Sequence, residues 1–326
     1  MPYPVELIQS IADRHGLSGD LSLLPKGGMV NEAWSIGDTH ILRIVAEGGD
    51  AECDTEVARE GAVVPLLVAA GMRTPRLIAA DMEFAPRPYT IYERAGGELL
   101  GFCKLPHERF ESAYPQIGRE LALLHRVAIP DAVLPSLRTD LPINVPMWVG
   151  RSLEAGAISQ QDADDIAETA ARWIEIGGPM PALRLIHNDV HPWNLMCDTA
   201  TCALTAIIDW GDATLGDPAR DFAAMPLSCV PAMLEGYSEL WSGPPDLHDR
   251  ELWSGPPDLH DRELWCGSPD LRAFVARSLV VGLNVALWEV RAADIMTPER
   301  HWWRMPPGGW SEMKSLVAQY WPGLMA

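Results

Sequence analysis

The segment from Leu183 to Asp212 constrains the fold more than any other stretch of this chain. It carries His187, Asp189 and Asn194 at the spacing His-x-Asp-x-x-x-x-Asn, and Asp209 follows at the end of an apolar run. Two short apolar runs with a polar turn between them separate Asn194 from Asp209, and this pattern predicts a β-hairpin. Because a hairpin folds the chain back on itself, we expect Asn194 and Asp209 to lie side by side.

The side chains of this segment suit a metal-assisted reaction on phosphate. Mg²⁺ is a hard cation that takes carboxylate and amide oxygens and shares the rest of its shell with phosphates and water, which makes Asn194 and Asp209 the candidate magnesium ligands. Asp189 is the candidate catalytic base, because it would accept or orient the proton of an acceptor hydroxyl group. The spacing is that of a kinase catalytic loop followed by an Asp-x-Gly acid, which indicates phosphoryl transfer from ATP or GTP.

A zinc site is the alternative for part of this segment. His187, Asp189 and His191 alternate along the chain, and both residue types are zinc ligands. This interpretation leaves Asn194 and Asp209 unexplained. The two spacings together therefore favour phosphoryl transfer.

Three stretches of the sequence resemble the aminoglycoside phosphotransferase family of protein-kinase-like small-molecule kinases: HNDVHPWN, IIDWGDATLGDPARDFA and LALLHRV. The resemblance implies an α+β, two-lobe protein-kinase-like fold with a small antiparallel-sheet N-lobe and a larger, mainly helical C-lobe. It places a nucleotide-binding N-lobe at residues 1–95 and, at residues 96–326, a C-lobe with the catalytic loop and acceptor-binding helices. It also implies that Asp221 is structural, accepting hydrogen bonds from the catalytic-loop backbone, and that Asp217 stabilises the same region.

Other residues around the catalytic segment can be interpreted locally. Asp217 and Pro218 are an N-cap and a first-turn proline, so a helix is expected to start there. Asn188 stands where many members of the family carry Gly, and we expect little consequence. His125, in the helix that ends LALLHRV, is expected to be a packing residue.

The resemblance assigns the phosphate-binding loop to Lys26, Gly27 and Gly28, whose backbone amides would approach the phosphates. Paired glycines by themselves usually mark only a turn. The β-prone runs that follow flank Gly37 and Asp38, which predicts a hairpin with a two-residue turn.

Arg43 falls in the second strand of that hairpin, where a kinase carries lysine. Arginine keeps the charge and offers a planar fork to phosphate oxygens, although the two residues are not interchangeable at a tight site. A helix predicted from Thr55 supplies Glu56 and Glu60 as partners, and the resemblance favours Glu60. Pro65 interrupts this helix. An ordinary surface ion pair is the alternative interpretation of Arg43 and Glu60.

Two further strands are predicted, Pro75 to Ala80 and Pro88 to Glu93. The second leads into the hinge of the kinase-like fold. There the resemblance implies that adenine bonds to main-chain groups, with Glu93 and Ala95 as the candidate nucleotide contacts.

The composition limits the partners of the chain. It has 25 basic and 45 acidic residues and a formal net charge of −20, which argues against nucleic acid because the phosphates would be repelled. A cationic small molecule with a hydroxyl group would be attracted, although an acidic surface also serves solubility. We expect a monomer or a weak dimer.

The sequence predicts a cytoplasmic protein. No segment is long and apolar enough to span a bilayer, and the start MPYPVELIQS lacks the regions of a secretion signal. The six cysteines include no Cys-x-x-Cys pair, so they are expected to stay reduced.

A tandem repeat of twelve residues is peculiar to this chain. ELWSGPPDLHDR at Glu239 to Arg250 recurs at Glu251 to Arg262, and a third copy begins at Glu263, so the insertion spans 239–272. Units this short and rich in proline do not stack into a solenoid, which predicts a lengthened surface loop.

These patterns together predict a phosphotransferase that moves the γ-phosphoryl group of ATP or GTP, with Mg²⁺, to a small-molecule hydroxyl. An aminoglycoside-type antibiotic is the sharper hypothesis for the acceptor. A macrolide, choline, homoserine or a sugar is the alternative. A catalytically silent nucleotide-binding protein is a third hypothesis, supported by Arg43 and the short glycine loop, and opposed by Asp189, Asn194 and Asp209.

Overall fold

The computed structural model describes residues 2–24, 30–103, 112–139, 143–240, 269–291 and 309–325. Lys26, Gly27 and Gly28 lie outside the described residues. Residues 241–268, which form most of the repeat insertion, also lie outside them. The α-helices of the described part are α1 Val5–Arg14, α2 Ala51–Ala69, α3 Ala113–Leu124, α4 Val145–Glu154, α5 Gln160–Gly177, α6 Val230–Leu240, α7 Pro269–Arg291 and α8 Gly309–Tyr320. The strands are β1 Leu21–Leu23, β2 Asn31–Ile36, β3 His40–Val45, β4 Leu77–Asp81, β5 Tyr89–Glu93, β6 Glu98–Leu99, β7 Arg138–Thr139, β8 Arg184–Ile186, β9 Leu195–Cys197, β10 Leu204–Ile207 and β11 Thr214–Gly216.

The chain divides into two compact units. The first unit comprises Met1–Leu105, Arg126–Arg138 and Pro192–Leu215, and the second comprises Pro106–His125, Thr139–His191 and Gly216–Ala326. The lobe boundary at residues 95 and 96 remains a prediction.

A five-stranded antiparallel sheet is the main element of the first unit, with strand order β1-β2-β3-β5-β4. Successive side chains of a strand point to opposite faces. Leu42 and Ile44 of β3 are fully buried in a cluster with Ile8 and Ile11 of α1. Arg43, between them, therefore faces the other side of the sheet.

The predicted hairpin around Gly37 is present, but its two-residue turn was wrong. Ile36 pairs with His40, so the turn has three residues, 37–39. Gly37 adopts a positive φ of 55°, and its N–H donates to the Asp20 carbonyl at 2.9 Å. That bond extends the β1 ladder to Gly37 and sets the start of the turn.

Helix α2 begins at Ala51, four residues before the predicted start at Thr55. Asp50 caps it, because its Oδ1 accepts from the N–H groups of Glu52 at 3.0 Å and Cys53 at 3.2 Å. The helix continues through Pro65 to Ala69.

A second, three-stranded sheet of the first unit has the order β10-β9-β6. Strands β9 and β10 form the predicted hairpin, with Leu204 opposite Cys197 and Ile207 opposite Leu195. This hairpin positions the two ends of the candidate metal site.

Helices dominate the second unit, and α3 and α6 approach each other closely. A methyl group at Gly118 of α3 would lie 1.8 Å from the Met233 carbonyl oxygen, and one at Gly236 of α6 would lie 1.8 Å from the Pro115 carbonyl oxygen. Only glycine permits contacts this short. A ring cluster of Phe222, Tyr237 and Phe274 packs beside them.

Two smaller features complete the description. The helix predicted to start at Asp217 is present only as a 3-10 helix of five residues, Pro218–Phe222. Within the described ranges, no helix is long and apolar enough to cross a membrane, and Cys53, Cys103, Cys197, Cys202 and Cys229 are free thiols.

Candidate active site

The β9–β10 hairpin joins Asn194 and Asp209 through the backbone. Ile208, the residue before Asp209, donates its N–H to the Asn194 carbonyl at 3.0 Å. The predicted return of the chain to Asn194 is therefore confirmed. Asn194 ends the 3-10 helix Pro192–Asn194 and is buried, whereas the Asp209 side chain is 38% exposed.

Arg43 connects Asp209 to helix α2. Its Nη1 lies 2.7 Å from Glu60 Oε1 and its Nη2 lies 2.7 Å from Asp209 Oδ1, so one guanidinium bonds two carboxylates. Burial opposes the charge of Arg43, but the Asp209 and Glu60 carboxylates outweigh it and hold the Arg43 pKa well above its ordinary value. Glu60, and not Glu56, is thus the helix partner of Arg43. The Glu60 side chain is only 4% exposed, which excludes the ordinary surface pair.

Tyr92 of β5 is a further member of this group, and no sequence pattern indicated its role. Its hydroxyl donates to Glu60 Oε2 at 2.7 Å. Burial and the adjacent Glu60 carboxylate raise the pKa of Tyr92 well above its ordinary value, so the hydroxyl keeps its proton and remains a donor. Burial also raises the pKa of Glu60, while the Arg43 charge and the Tyr92 bond oppose that rise. The four side chains form a continuous chain of contacts, Tyr92–Glu60–Arg43–Asp209.

Asp209 has an unusual backbone conformation, with φ 68° and ψ 67° in the left-handed region. The two residues after Asp209 contact different elements of the first unit. Trp210 is buried and donates its Nε1–H to Thr74 Oγ1 at 2.9 Å. Gly211 lies against α2, where a methyl group would be 3.1 Å from Glu56 Cβ.

The first unit supplies oxygen donors that fit a magnesium ion. Asn194 offers an amide oxygen and Asp209 a carboxylate, which are the donor types that Mg²⁺ prefers. Arg43 bonds Oδ1 of Asp209, and Oδ2 has no hydrogen-bond partner among the described residues. Among all the residues that the structure describes, no three His, Cys, Asp or Glu side chains are arranged to hold a metal. The alternative zinc cluster of His187, Asp189 and His191 is therefore not formed.

Asp189 lies at the end of the catalytic segment that belongs to the second unit. Its side chain is 33% exposed, and His191 Nε2 lies 3.1 Å from its Oδ2. The Asp189 N–H donates to His187 Nδ1 at 3.3 Å. These contacts fix the carboxylate while leaving it accessible.

Asp221 holds the backbone of the same segment. Its Oδ2 accepts from the His187 N–H at 2.9 Å, and its Oδ1 accepts from the Asn188 N–H at 2.8 Å. Asp221 is fully buried. The expectation that it accepts hydrogen bonds from the catalytic-loop backbone is confirmed.

His125 is buried, as expected of a packing residue, and its ring also bonds two polar side chains. Its Nε2 lies 3.0 Å from Asp221 Oδ2, and its Nδ1 lies 2.9 Å from Tyr237 Oη. Because a carboxylate only accepts, the proton belongs on Nε2, and Nδ1 accepts from Tyr237. Burial raises the pKa of Tyr237 well above its ordinary value, which keeps this donor protonated. The pairing of these residues had no sequence signal.

Asn188 is in the left-handed conformation, with φ 68°. Gly adopts this region freely and Asn is among the residues that tolerate it best, so either residue would meet this backbone requirement. The Asn188 side chain also gains a bond, because Arg220 Nε donates to its Oδ1 at 2.7 Å.

Asp217 joins the start of the 3-10 helix to helix α7. Its Oδ1 accepts from the Ala219 N–H at 3.0 Å, and its Oδ2 accepts from Arg277 Nε at 2.6 Å. Arg277 in turn donates to the Gly177 carbonyl at 2.9 Å. Asp217 therefore stabilises this region, as the resemblance implied.

The remaining nucleotide contacts stay predictions. Glu93 ends β5, and its exposed carboxylate is 2.9 Å from Arg76 Nε. Ala95 follows it on the chain. Lys26, Gly27 and Gly28 lie outside the described residues.

Comparison with known proteins identifies relatives of this arrangement. A model of the phosphotransferase enzyme family (APH) matches residues 23–253. Acyl-CoA dehydrogenase family member 10 of Mus musculus is 25% identical over an alignment of 185 residues, and the match covers 53% of this chain. The matched part is 16% of that protein, so the chain corresponds to only a small part of this curated relative.

Solved structures with the same fold are more completely covered. The GDP complex of aminoglycoside 2'-phosphotransferase-IIIa is 15% identical with a TM-score of 0.65, and the match covers 98% of each chain. Spectinomycin phosphotransferase in complex with ADP and spectinomycin is 13% identical with a TM-score of 0.55, covering 99% of this chain and 94% of that one. The α+β protein-kinase-like fold is thereby confirmed.

Proposed function

The chain belongs to the phosphotransferase enzyme family (APH), and we propose that within it the chain moves the γ-phosphoryl group of ATP or GTP to a hydroxyl of an aminoglycoside-type antibiotic. It is a small-molecule phosphotransferase with a hydroxyl group as acceptor. The observation that carries the proposal is the contact chain from Tyr92 to Asp209, which places a permanent cation beside an exposed carboxylate.

In the proposed reaction, Asn194 and Asp209 would hold Mg²⁺, which would supply positive charge to the phosphate oxygens when bound. Arg43 contributes a second, fixed positive charge at Asp209. Phosphoryl transfer depends mainly on positioning and on charge neutralisation, because its transition state is loose. Glu60 and Tyr92 keep the guanidinium in place, so that little reorganisation is needed during the reaction.

Asp189 is the proposed catalytic base. Its carboxylate accepts the proton of the attacking hydroxyl as the oxygen–phosphorus bond forms and the bond to the departing nucleoside diphosphate breaks. His191 bonds Oδ2 and orients the group. Asp221 fixes the backbone before it through His187 and Asn188.

The charge of the chain supports a cationic acceptor. The formal net charge is −20, and an acidic surface raises the local concentration of cations. Solved structures of this fold include enzymes for aminoglycosides and spectinomycin. Antibiotic resistance, a cytoplasmic location, and a monomeric or weakly dimeric state belong to the same proposal.

An acceptor panel tests the proposal. The protein is incubated with Mg²⁺ and either ATP or GTP against aminoglycosides, spectinomycin, macrolides, choline, homoserine and sugars, and phosphorylated products are measured by mass spectrometry. We expect aminoglycosides to be turned over. Turnover of choline, homoserine or a sugar alone would replace the antibiotic with a metabolite. Nucleotide binding without turnover of any acceptor would favour the catalytically silent protein.

Two variants test the assigned roles. Asp189→Ala is expected to lower kcat by about 10²- to 10⁴-fold, the usual contribution of a general base. Asp209→Ala is expected to abolish turnover through loss of Mg²⁺. The matched control is Asp13→Ala, which removes an exposed carboxylate of α1 and should leave turnover unchanged. Control-like rates in either variant would contradict the corresponding role.

A further inference from the structure

Arg59 is a buried cation that the reaction described above does not use. It lies on α2 next to Glu60 and is only 4% exposed. Its Nη1 donates to the Gly211 carbonyl, and its Nε donates to the Ser136 carbonyl at 3.2 Å. Its Nη2 lies 3.4 Å from Glu52 Oε1. Burial of a guanidinium is costly unless its donors are satisfied, and here two of them are directed at backbone oxygens of segments distant in sequence.

The Gly211 carbonyl lies two residues after the proposed metal ligand Asp209. Between them the chain makes an abrupt turn, because Asp209 has φ 68° and ψ 67°. A non-glycine residue is held in this conformation only when the surrounding contacts maintain it. Such strain is typical of functional sites.

Three contacts maintain the turn, and they hold three successive residues. Arg43 bonds the Asp209 side chain, Trp210 bonds Thr74, and Arg59 bonds the Gly211 carbonyl. The first two act through side chains of the turn itself. Of these three contacts, only that of Arg59 is made to the main chain of the turn. Arg59 lies on α2, the helix that also carries Glu60.

We propose that Arg59 is a positioning residue for the metal ligand Asp209, and that it acts by fixing the Gly211 carbonyl. Helix α2 then controls Asp209 at two points, through Glu60 and Arg43 on one oxygen and through Arg59 on the backbone. This inference rests on the proposed function, because it presupposes that Asp209 binds Mg²⁺. Loss of a residue that orients a metal ligand from outside the coordination shell typically lowers metal affinity by about 10- to 100-fold.

Calorimetric binding of ATP tests the inference without an acceptor. The affinity for ATP is measured in Mg²⁺ and again in EDTA, and the ratio of the two affinities reports the contribution of the metal. We expect Arg59→Met to lower this ratio by about tenfold, while its affinity for ATP in EDTA stays near that of the wild type.

Arg87→Met is the matched control. Arg87 also bonds a carboxylate of α2, Asp54 at 2.7 Å, and a backbone oxygen, that of Gly49 at 2.9 Å, but none of its contacts reaches Asp209. The Arg87→Met substitution should therefore lower the melting temperature without changing the ratio of the ATP affinities in Mg²⁺ and in EDTA. Equal ratios in Arg59→Met and Arg87→Met would overturn the positioning role and leave Arg59 as a purely structural residue.

Arg59→Lys decides the question if Arg59→Met does not fold. A lysine carries one donor group on a straight stem and cannot grip the Gly211 and Ser136 carbonyls as the guanidinium does. We expect a reduced ratio, and a ratio equal to that of the wild type would refute the inference. A wild-type protein whose ATP affinity is the same in Mg²⁺ and in EDTA would instead overturn the proposed function, so the two failures are distinguishable.

Discussion

Two residues of the proposed active site have the left-handed backbone conformation that most side chains oppose. Among the described residues, the non-glycine positions with positive φ are Asn188, Cys202 and Asp209. Asn188 precedes the proposed base Asp189, and Asp209 is itself the proposed metal ligand. Left-handed residues persist where their surroundings determine them. In both cases the structure shows the contacts responsible, from Asp221 and Arg220 at Asn188 and from Arg43 at Asp209.

Variants of Asn188 test this explanation. Asn188→Ala is expected to lower the free energy of unfolding by about 1–2 kcal/mol, because alanine has a Cβ that opposes the left-handed conformation and no side chain to bond Arg220. Asn188→Gly should retain most of the stability and the activity, since glycine adopts the conformation without strain. Denaturant unfolding and kcat measure both effects. Equal stability of the Ala and Gly variants would show that the conformation of residue 188 is unimportant.

At the scale of elements, the contact between α3 and α6 brings the Asp221 network together. His125 is the C-cap residue of α3 and Tyr237 lies on α6, and their bond requires the two helices to be close. Gly118 and Gly236 permit that approach from each side. The close contact thus connects helix packing to the orientation of the carboxylate that holds the catalytic-loop backbone.

Gly236→Ala is expected to destabilise the protein by about 1–3 kcal/mol, the usual cost of overpacking. The added methyl group would meet the Pro115 carbonyl, which is backbone and cannot move aside easily. Gly150→Ala in α4 is the matched control, because a methyl group there has no atom within 4 Å. It should stabilise the helix by about 0.5–1 kcal/mol. Thermal unfolding of the two variants should shift in opposite directions, and shifts of the same sign would contradict this account of the helix contact.

Elements with a strong local pattern were predictable from the sequence. The β9–β10 hairpin follows from alternating apolar and polar runs, and the pairing of Arg43 with an acid of α2 follows from its place in a kinase-like strand. Errors arose where a contact across the fold decided the outcome. The turn at Gly37 is longer than predicted because Gly37 bonds Asp20.

Residues that act singly could not be found in this way. Arg59, Tyr92 and Tyr237 occupy no spacing that indicates chemistry, and their roles depend on partners 30 to more than 100 residues away. The preference for Glu60 over Glu56 was correct, but it came from the resemblance to the family, because periodicity alone does not provide the register between a helix and a sheet.

At the scale of the whole molecule, acidic side chains outnumber basic ones, so few cations are present to neutralise them. The chain has only 25 lysine and arginine residues, and several of them bond carboxylates inside one unit. Lys314 of α8 is one example, because it bonds Asp165 of α5, which also accepts from Trp310 Nε1 at 2.9 Å. These contacts anchor the C-terminal helix.

The Asp165 contact predicts a pH dependence of stability. The hydrogen bond from Lys314 holds the pKa of Asp165 below its ordinary value of 3.8. A lowered folded-state pKa means that the stabilisation is present above about pH 3.8 and is lost as the pH falls through the folded-state pKa. Because both side chains are about one-third exposed, solvent screening keeps the effect small.

Asp165→Asn should therefore melt about 1–3 °C below the wild type at pH 7, and the difference should shrink progressively as the pH is lowered below about 3.8. Differential scanning fluorimetry across this range measures it. Lys314→Met removes the other partner of the same ion pair. Its melting temperature should likewise approach that of the wild type as the pH is lowered. A constant difference between Asp165→Asn and the wild type at all pH values would contradict an ionic origin.

The bonds from Asp221 to the N–H groups of His187 and Asn188 have a consequence for how this loop evolves. Every residue except proline carries such an N–H, so the grip does not depend on which side chains stand at positions 187 and 188. The two bonds themselves therefore tolerate substitution, and at position 188 it is the left-handed backbone that restricts the choice, chiefly to Asn and Gly. The buried carboxylate of Asp221 is therefore the one side chain on which both bonds depend.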